Sequence, residues 1–306
     1  MVQEYILTQM HIEAARNSTD DFNLFHDKNR WQRIKSNPFQ GPIALGFQLA
    51  CFIENQIRCS GKSYQYDDLS IAQALPYSIY ELTFAGVVKP GDTISIAVRD
   101  GKSAEIDGHQ CFSNRIALKA NGKTVLLGYR RESKAAMLGH SFPIPDMSVI
   151  RDCKDRTFVE DSSFFLKRKY IIVGNAKNFL TSAFAEQSEY IDEFIDKVDF
   201  PETYPLSLVS SALLERAQAL GHDLIKSPMI YTYQKLSICK TELASLRSNH
   251  MLSILVGPAE YPDCAEEAQG GSTSGRVKHY CCCLLNNGNT LFQAEIQLVP
   301  LSSLIR

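Results

Sequence analysis

Apolar residues crowd the stretch GPIALGFQLACFIENQIR, densest from Ile43 to Ile57, with a proline and a glycine near its start. That pattern predicts a long buried helix over residues 43–57. A second stretch, PLSLVSSALLERAQAL, predicts a matching helix over residues 205–219. Upstream of the first, Thr8 ahead of QMHIEAAR reads as an N-cap, with a helix running towards Asn17. Shifting the sequence by 161 positions superimposes these features without a gap: Ala15-Arg16-Asn17 falls on Ala176-Lys177-Asn178, Leu45 on Leu206 and Glu54 on Glu215. A period that long signals a duplicated domain rather than a solenoid.

Downstream, IALKANGKTVLLGYRR and CCLLNNGNTLFQAEIQL each place an Asn-Gly turn between two apolar runs, the signature of a hairpin. The turns, Asn121-Gly122 and Asn287-Gly288, are 166 apart, so the two halves differ by a small net insertion. Each half thus reads as a helical start, a long apolar helix and several strands. This order predicts an α+β fold in which an antiparallel sheet wraps a helix, twice over. The expected boundaries are 1–132 and 167–306, joined by a proline-containing connector at 133–166. The basic triplet Lys167-Arg168-Lys169 is expected to be a solvated strand start rather than a phosphate site.

Composition narrows the function classes. At 306 residues the chain has room for two small cores, and a net charge of −2 leaves no bulk attraction for nucleic acid or an anionic membrane. No uncharged apolar run reaches the roughly 18 residues of a membrane span. The amino terminus lacks a secretory pattern, so a cytoplasmic location is expected. Nine cysteines without a CxxC indicate reduced thiols. Cys281, Cys282 and Cys283 would alternate faces of a strand and are expected to be small buried apolar residues. His109 and His279 each precede a cysteine by two places but lack a second ligand pair, so no metal is expected.

The candidate chemistry lies in TDDFNLFHD, FQGPIALGF and LTFAGVVKPGDTISI. In that order these motifs resemble the Gly-Asp-x-Asn-Pro-x-His signature, the Gly-Pro-Ile-Ala-x-Gly helix start and the Pro-Gly-Asp-Thr strand start of the MaoC-like dehydratase and hydratase family. The resemblance covers roughly residues 5 to 131 and implies a double hotdog. It further implies hydration of a 2-enoyl-CoA or acyl-carrier-protein thioester to the 3-hydroxyacyl thioester, or the reverse, without a cofactor. Asp21 and His26 would be the catalytic acid–base pair and Asn23 would orient the loop or a reacting group. The N–H of Gly46, at a helix start, would meet the thioester oxygen. Asp20, Leu24 and Lys28 depart from the signature's glycine, proline and second aspartate.

At the 161 offset Asp21, His26 and Gly46 fall on Ser182, Gln187 and Ser207. The second half is therefore expected to be inert and to form part of an acyl tunnel. One pocket between the halves follows, with Phe22, Phe25 and Phe47 as apolar wall, in a monomer or a homodimer. Two other readings compete. A hotdog thioesterase would use Glu54, the acidic residue of the first long helix, although Glu215 at the matching place suggests a shared structural role. An acyl-thioester-binding protein without turnover would keep the pocket alone. The bland alternative for Asp21, Asn23 and His26 is a solvated turn.

Overall fold

The computed structural model describes residues 3–61, 75–106, 108–136, 138, 143–261 and 275–304. The first half runs β1 (Glu4–Ile6), α1 (Gln9–Thr19), α2 (Gly46–Cys59), β2 (Tyr77–Phe84), β3 (Thr93–Val98), β4 (Lys102–Ile106), β5 (His109–Ala120) and β6 (Lys123–Ser133). Next come α3 (Met147–Asp152) and β7 (Thr157–Phe158). The second half repeats the order with β8 (Phe165–Tyr170), α4 (Val173–Ser182), β9 (Ile191–Asp192), β10 (Lys197–Val198), α5 (Thr203–Ser207) and α6 (Val209–Ala219). It ends with β11 (Met229–Cys239), α7 (Lys240–Ala244), β12 (Met251–Glu260), β13 (Val277–Leu284) and β14 (Thr290–Pro300).

Two separate sheets were the simplest expectation, but the halves share one. Twelve antiparallel strands follow the order β1-β3-β5-β6-β2-β11-β14-β13-β12-β8-β7, with β4 also on β5. The order is mirrored about the seam, where β2 pairs with β11 from Thr83 opposite Tyr233 to Tyr77 opposite Cys239. Joining the central strands removes two exposed edges and leaves only the short β1 and β7 at the ends of the path.

The largest apolar core among the described residues lies between the helices and one face of the sheet, drawing Phe47, Ala50 and Ile53 from α2 and Val209 and Ala212 from α6. The connecting segment covers the opposite face of the second half, where Ile150, Val159 and Phe164 pack with Leu255, Tyr280 and Cys282. Alternation along β13 sends Cys281 and Cys283 to the helical side and Cys282 to the other, and all three are buried thiols.

Local chemistry explains where the elements start. Thr8 caps α1 as expected, and its hydroxyl accepts the His11 N–H. The first long helix begins at Gly46, later than the apolar run, because Leu45 is extended and the N–H groups of Ile43 and Ala44 bond elsewhere, to the carbonyls of Phe25 at 2.9 Å and Val88 at 2.8 Å. An apolar run alone does not distinguish a buried strand-like segment from a helix. Its counterpart is broken at Leu208 into α5 and α6. Asn121 and Gly122 both take positive φ, 48° and 78°, giving a tight hairpin turn, whereas only Gly288 does so in the second hairpin. There the loop is wider, closed by Leu285 N–H to the Asn289 carbonyl at 2.9 Å.

The basic triplet is not solvated. Lys167 is 3% exposed and pairs with Glu215 at 3.1 Å, and Lys169 pairs with Asp20 at 2.6 Å. The Arg168 guanidinium donates to the Ile150 carbonyl at 2.7 Å. Facing carboxylates and carbonyls, rather than water, absorb these charges. No helix among the described residues is long and apolar enough to cross a membrane.

Candidate active site

The loop after α1 is built from consecutive side-chain-to-backbone turns. Asp20 ends the helix at φ 52°, a left-handed conformation that aspartate tolerates, and its carboxylate is tied to Lys169 of the other half. This explains how the chain dispenses with the glycine of the resembling signature. Asp21 Oδ1 accepts the Asn23 N–H at 2.8 Å, and Asn23 Oδ1 accepts the Phe25 N–H at 3.2 Å. Asn23 thereby caps a short 3-10 turn over Leu24–His26. The turn delivers His26, whose Nδ1 lies 2.8 Å from the Ile43 carbonyl. A carbonyl only accepts, so Nδ1 carries the proton and Nε2 is left with the lone pair.

The second half completes the arrangement. Ser210 Oγ, on α6, donates to Asp21 Oδ2 at 2.6 Å, and the Tyr231 hydroxyl of β11 donates to Ser210 Oγ at 3.1 Å. Burial first, then the Asp21 charge, raises the Tyr231 phenol well above its usual range, so it remains a donor. Sequence reasoning missed both residues. The available signal was Ser210 itself, a polar residue in a buried helix where the 161 shift places Leu49.

Two cavities flank this chain of hydrogen bonds and share Asn23, Phe25, Met229 and Tyr231 as walls. The smaller, about 210 Å³, is lined by His26, Gly46, Leu49 and Phe84. The larger, about 570 Å³, lies between the halves and is lined by Phe22, Arg30, Arg33, Leu213, Arg216 and His279 among others. Phe22 and Phe25 therefore form wall as expected, but Phe47 does not: it is buried in the core, edge-on to Tyr231. Asp21 lines neither cavity. Gly46 opens α2, where geometry leaves the first N–H groups without intrahelical acceptors. A Cβ at Gly46 would sit 2.9 Å from Phe84 Cζ, so a glycine keeps this approach open.

Burial lowers the His26 imidazole below its ordinary 6.5. The Asp21 charge and the Ile43 carbonyl oppose that shift, and Arg16 adds to it. His26 is consequently neutral at pH 7, a base rather than a cation. Burial works to raise the neighbouring Asp27, but the N–H groups of Asn29 and Arg30 and the guanidinium groups of Arg30 and Arg16 hold it at about 2. Lys28, the third departure from the signature, is exposed.

No protein-family model matches the sequence, and no curated protein matches it. Solved structures do. A MaoC-like dehydratase aligns over 98% of this chain and 96% of its own, with a TM-score of 0.59 and 12% identity. A MaoC-like dehydratase from Phytophthora capsici covers 96% and 93%, with a TM-score of 0.53 and 12% identity. A conserved hypothetical protein of Mycobacterium tuberculosis, described as having a double hotdog fold, covers 98% and 94%, with a TM-score of 0.55 and 12% identity. The fold is a double hotdog.

Within the double hotdog, the positions matching Asp21, His26 and Gly46 are occupied by locally satisfied side chains. Ser182 Oγ donates to the Phe179 carbonyl, Gln187 to the Lys177 carbonyl and Thr181 hydroxyl, and Ser207 to the Tyr204 carbonyl. Glu54 is also engaged. Its Oε1 accepts the Glu202 N–H, and its Oε2 accepts both the N–H and the hydroxyl of Thr203, so it caps α5 across the halves. Burial, then the Glu202 charge, pushes the Glu54 carboxyl up to about 7 against those three donors. Glu215, at the matching position, serves a different partner, Lys167.

Proposed function

We propose that the protein hydrates 2-enoyl thioesters, and dehydrates 3-hydroxyacyl thioesters, at Asp21 and His26. The observation that carries this reading is the meeting of a neutral His26, its Nε2 without a hydrogen-bond partner among the described residues, and the N-terminal amide of α2 at Gly46 in the wall of one cavity. Hydration adds the oxygen of water to C3 and a proton to C2 of the conjugated double bond. His26 Nε2 takes a proton from the attacking water, while Asp21, fixed by Asn23 and Ser210, holds the loop that presents the imidazole and favours the charge that forms on it. The enolate oxygen that develops on the thioester meets the Gly46 N–H, where the helix terminus favours negative charge. Returning the proton to C2 leaves the thioester intact.

On this reading residues 1–132 are the active half and residues 167–306 the inert one, with 133–166 between them, and the thioester carrier is coenzyme A or an acyl-carrier protein. Asn23 acts by holding the loop. The likeness in fold to MaoC-like dehydratases supports the reading at the level of architecture. The thioesterase alternative finds less support, because Glu54 caps α5 and lines a different cavity from the one lined by His26 and Gly46.

The test is loss of enoyl absorbance across a panel of enoyl-CoA thioesters of increasing length. Turnover is expected without release of free thiol. Because His26 is lowered from 6.5, kcat/KM should still be high at pH 6.5 and fall on an acid limb below it. An acid limb centred above 6.5, or thiol release, would exclude this mechanism. Ser210→Ala removes one hydrogen bond to a carboxylate, worth about 1.5–3 kcal/mol, and should lower kcat about ten- to a hundredfold with KM little changed. Parental kinetics in that variant would show that Ser210 does not position Asp21.

A further inference from the structure

Arg216 of α6 is 8% exposed and lines the larger cavity. Its Nε has no hydrogen-bond partner, and no carboxylate pairs with its guanidinium among the described residues. The other buried cations among the described residues are paired: Arg130 with Glu132 and Glu202, Arg131 with Glu81, Lys167 with Glu215, and Lys169 with Asp20. Arg216 instead faces Cys281, Tyr261 and His279, with the ring of Phe158 at 5.8 Å from its guanidinium carbon. None of these neighbours is a carboxylate. Burial first, then the charge of Arg216, brings His279 down to about 4, so it is neutral. The position matching Arg216 in the first half is Asn55, which makes an ordinary bond to the Phe184 carbonyl at 3.4 Å.

A guanidinium removed from water without a counter-ion is costly, and guanidinium geometry matches carboxylate and phosphate oxygens in particular. We propose that Arg216 binds a terminal carboxylate on the acyl chain, so that the preferred substrate is the monothioester of a dicarboxylic acid. This rests on the acyl-thioester reading of the neighbouring site. Arg216 follows Ser210 by six residues on one helix, about 9 Å along its axis, and Ser210 holds Asp21. The cavity that Arg216 lines shares Asn23, Phe25, Met229 and Tyr231 with the one that His26 and Gly46 line, so an acyl chain that passes this shared wall from the reacting carbons enters the space the guanidinium faces. The wall between is apolar, with Leu213 and Leu298 among its residues. Carrier phosphates have better hosts in the exposed Arg30 and Arg33 that line the same cavity.

The test is calorimetric binding of two saturated, unreactive thioesters of equal length to the full chain: glutaryl-CoA, which ends in a carboxylate, and pentanoyl-CoA, which ends in a methyl. The parent should bind glutaryl-CoA at least tenfold more tightly. Arg216→Met should abolish that preference and leave pentanoyl-CoA affinity unchanged, and Arg216→Lys should restore part of it. Equal affinities in the parent overturn the inference, whether or not the variants fold. So does an equal loss for both ligands in Arg216→Met, which would assign the guanidinium to a coenzyme A phosphate. Because neither ligand reacts, a preference mediated by Arg216 in a protein that hydrates no enoyl thioester would sustain the carboxylate site and remove only the reaction.

Discussion

His26→Gln and Asp21→Asn should each lower kcat for enoyl-thioester hydration by about 10²–10⁴-fold while leaving acyl-thioester affinity nearly unchanged. Asp21 and His26 sit on one loop whose turns are mutually dependent: Asp21 fixes Asn23, Asn23 caps the turn, and the turn presents His26. Two groups on one loop that serve a single proton transfer work as a unit, so the double variant should be about as slow as either single one. Steady-state kinetics on all three variants, with binding of a saturated analogue measured alongside, decides the matter. Near-parental hydration in either single variant would remove that residue from the reaction.

Glu54→Ala should show the opposite profile, with stability lost and chemistry kept. The carboxylate satisfies two backbone N–H groups and the hydroxyl of Thr203 at the start of α5, in a buried interface between the halves. Leaving such donors without an acceptor costs about 1–3 kcal/mol each before relaxation, and water entering the adjacent cavity of about 340 Å³ would offset part of that. A net loss of about 2–4 kcal/mol is expected, read as a fall of several degrees in the thermal midpoint with kcat near parental. A variant that unfolds at the parental temperature but has lost turnover would reinstate Glu54 as a base.

The long helices and the duplication were legible because helical periodicity and turn residues are local properties, and the ungapped shift preserved them. What escaped was set by contacts distant in sequence. Nothing local distinguishes Ile43–Leu45, a non-helical apolar segment, from the helix that follows it, since the difference lies in bonds to Phe25 and Val88. The same applies to the seam, where β2 finds β11 rather than ending a separate sheet. In the candidate site, Asp21, Asn23, His26 and Gly46 were readable from short motifs, and the structure brings His26 and Gly46 to one cavity with Asn23 between two. Ser210 and Tyr231 were not, because the 161 shift compares like positions, whereas these residues act across the pseudo-twofold on the opposite half. The triplet Lys167-Arg168-Lys169 was misjudged for a related reason: its partners are Glu215, Asp20 and the Ile150 carbonyl, none adjacent in sequence.

The seam has a consequence for synthesis. Leu82 pairs with Gln234, so β2 waits for about 150 further residues to leave the ribosome before its outer edge is covered. At about 5–20 residues per second that interval is roughly 8–30 s. During it the nascent first half presents Tyr77–Phe84, rich in aromatic and apolar residues, as an open template for strand addition. Productive folding of this chain therefore depends on protection of that edge in the newborn polypeptide, a hazard that disappears once β11 docks.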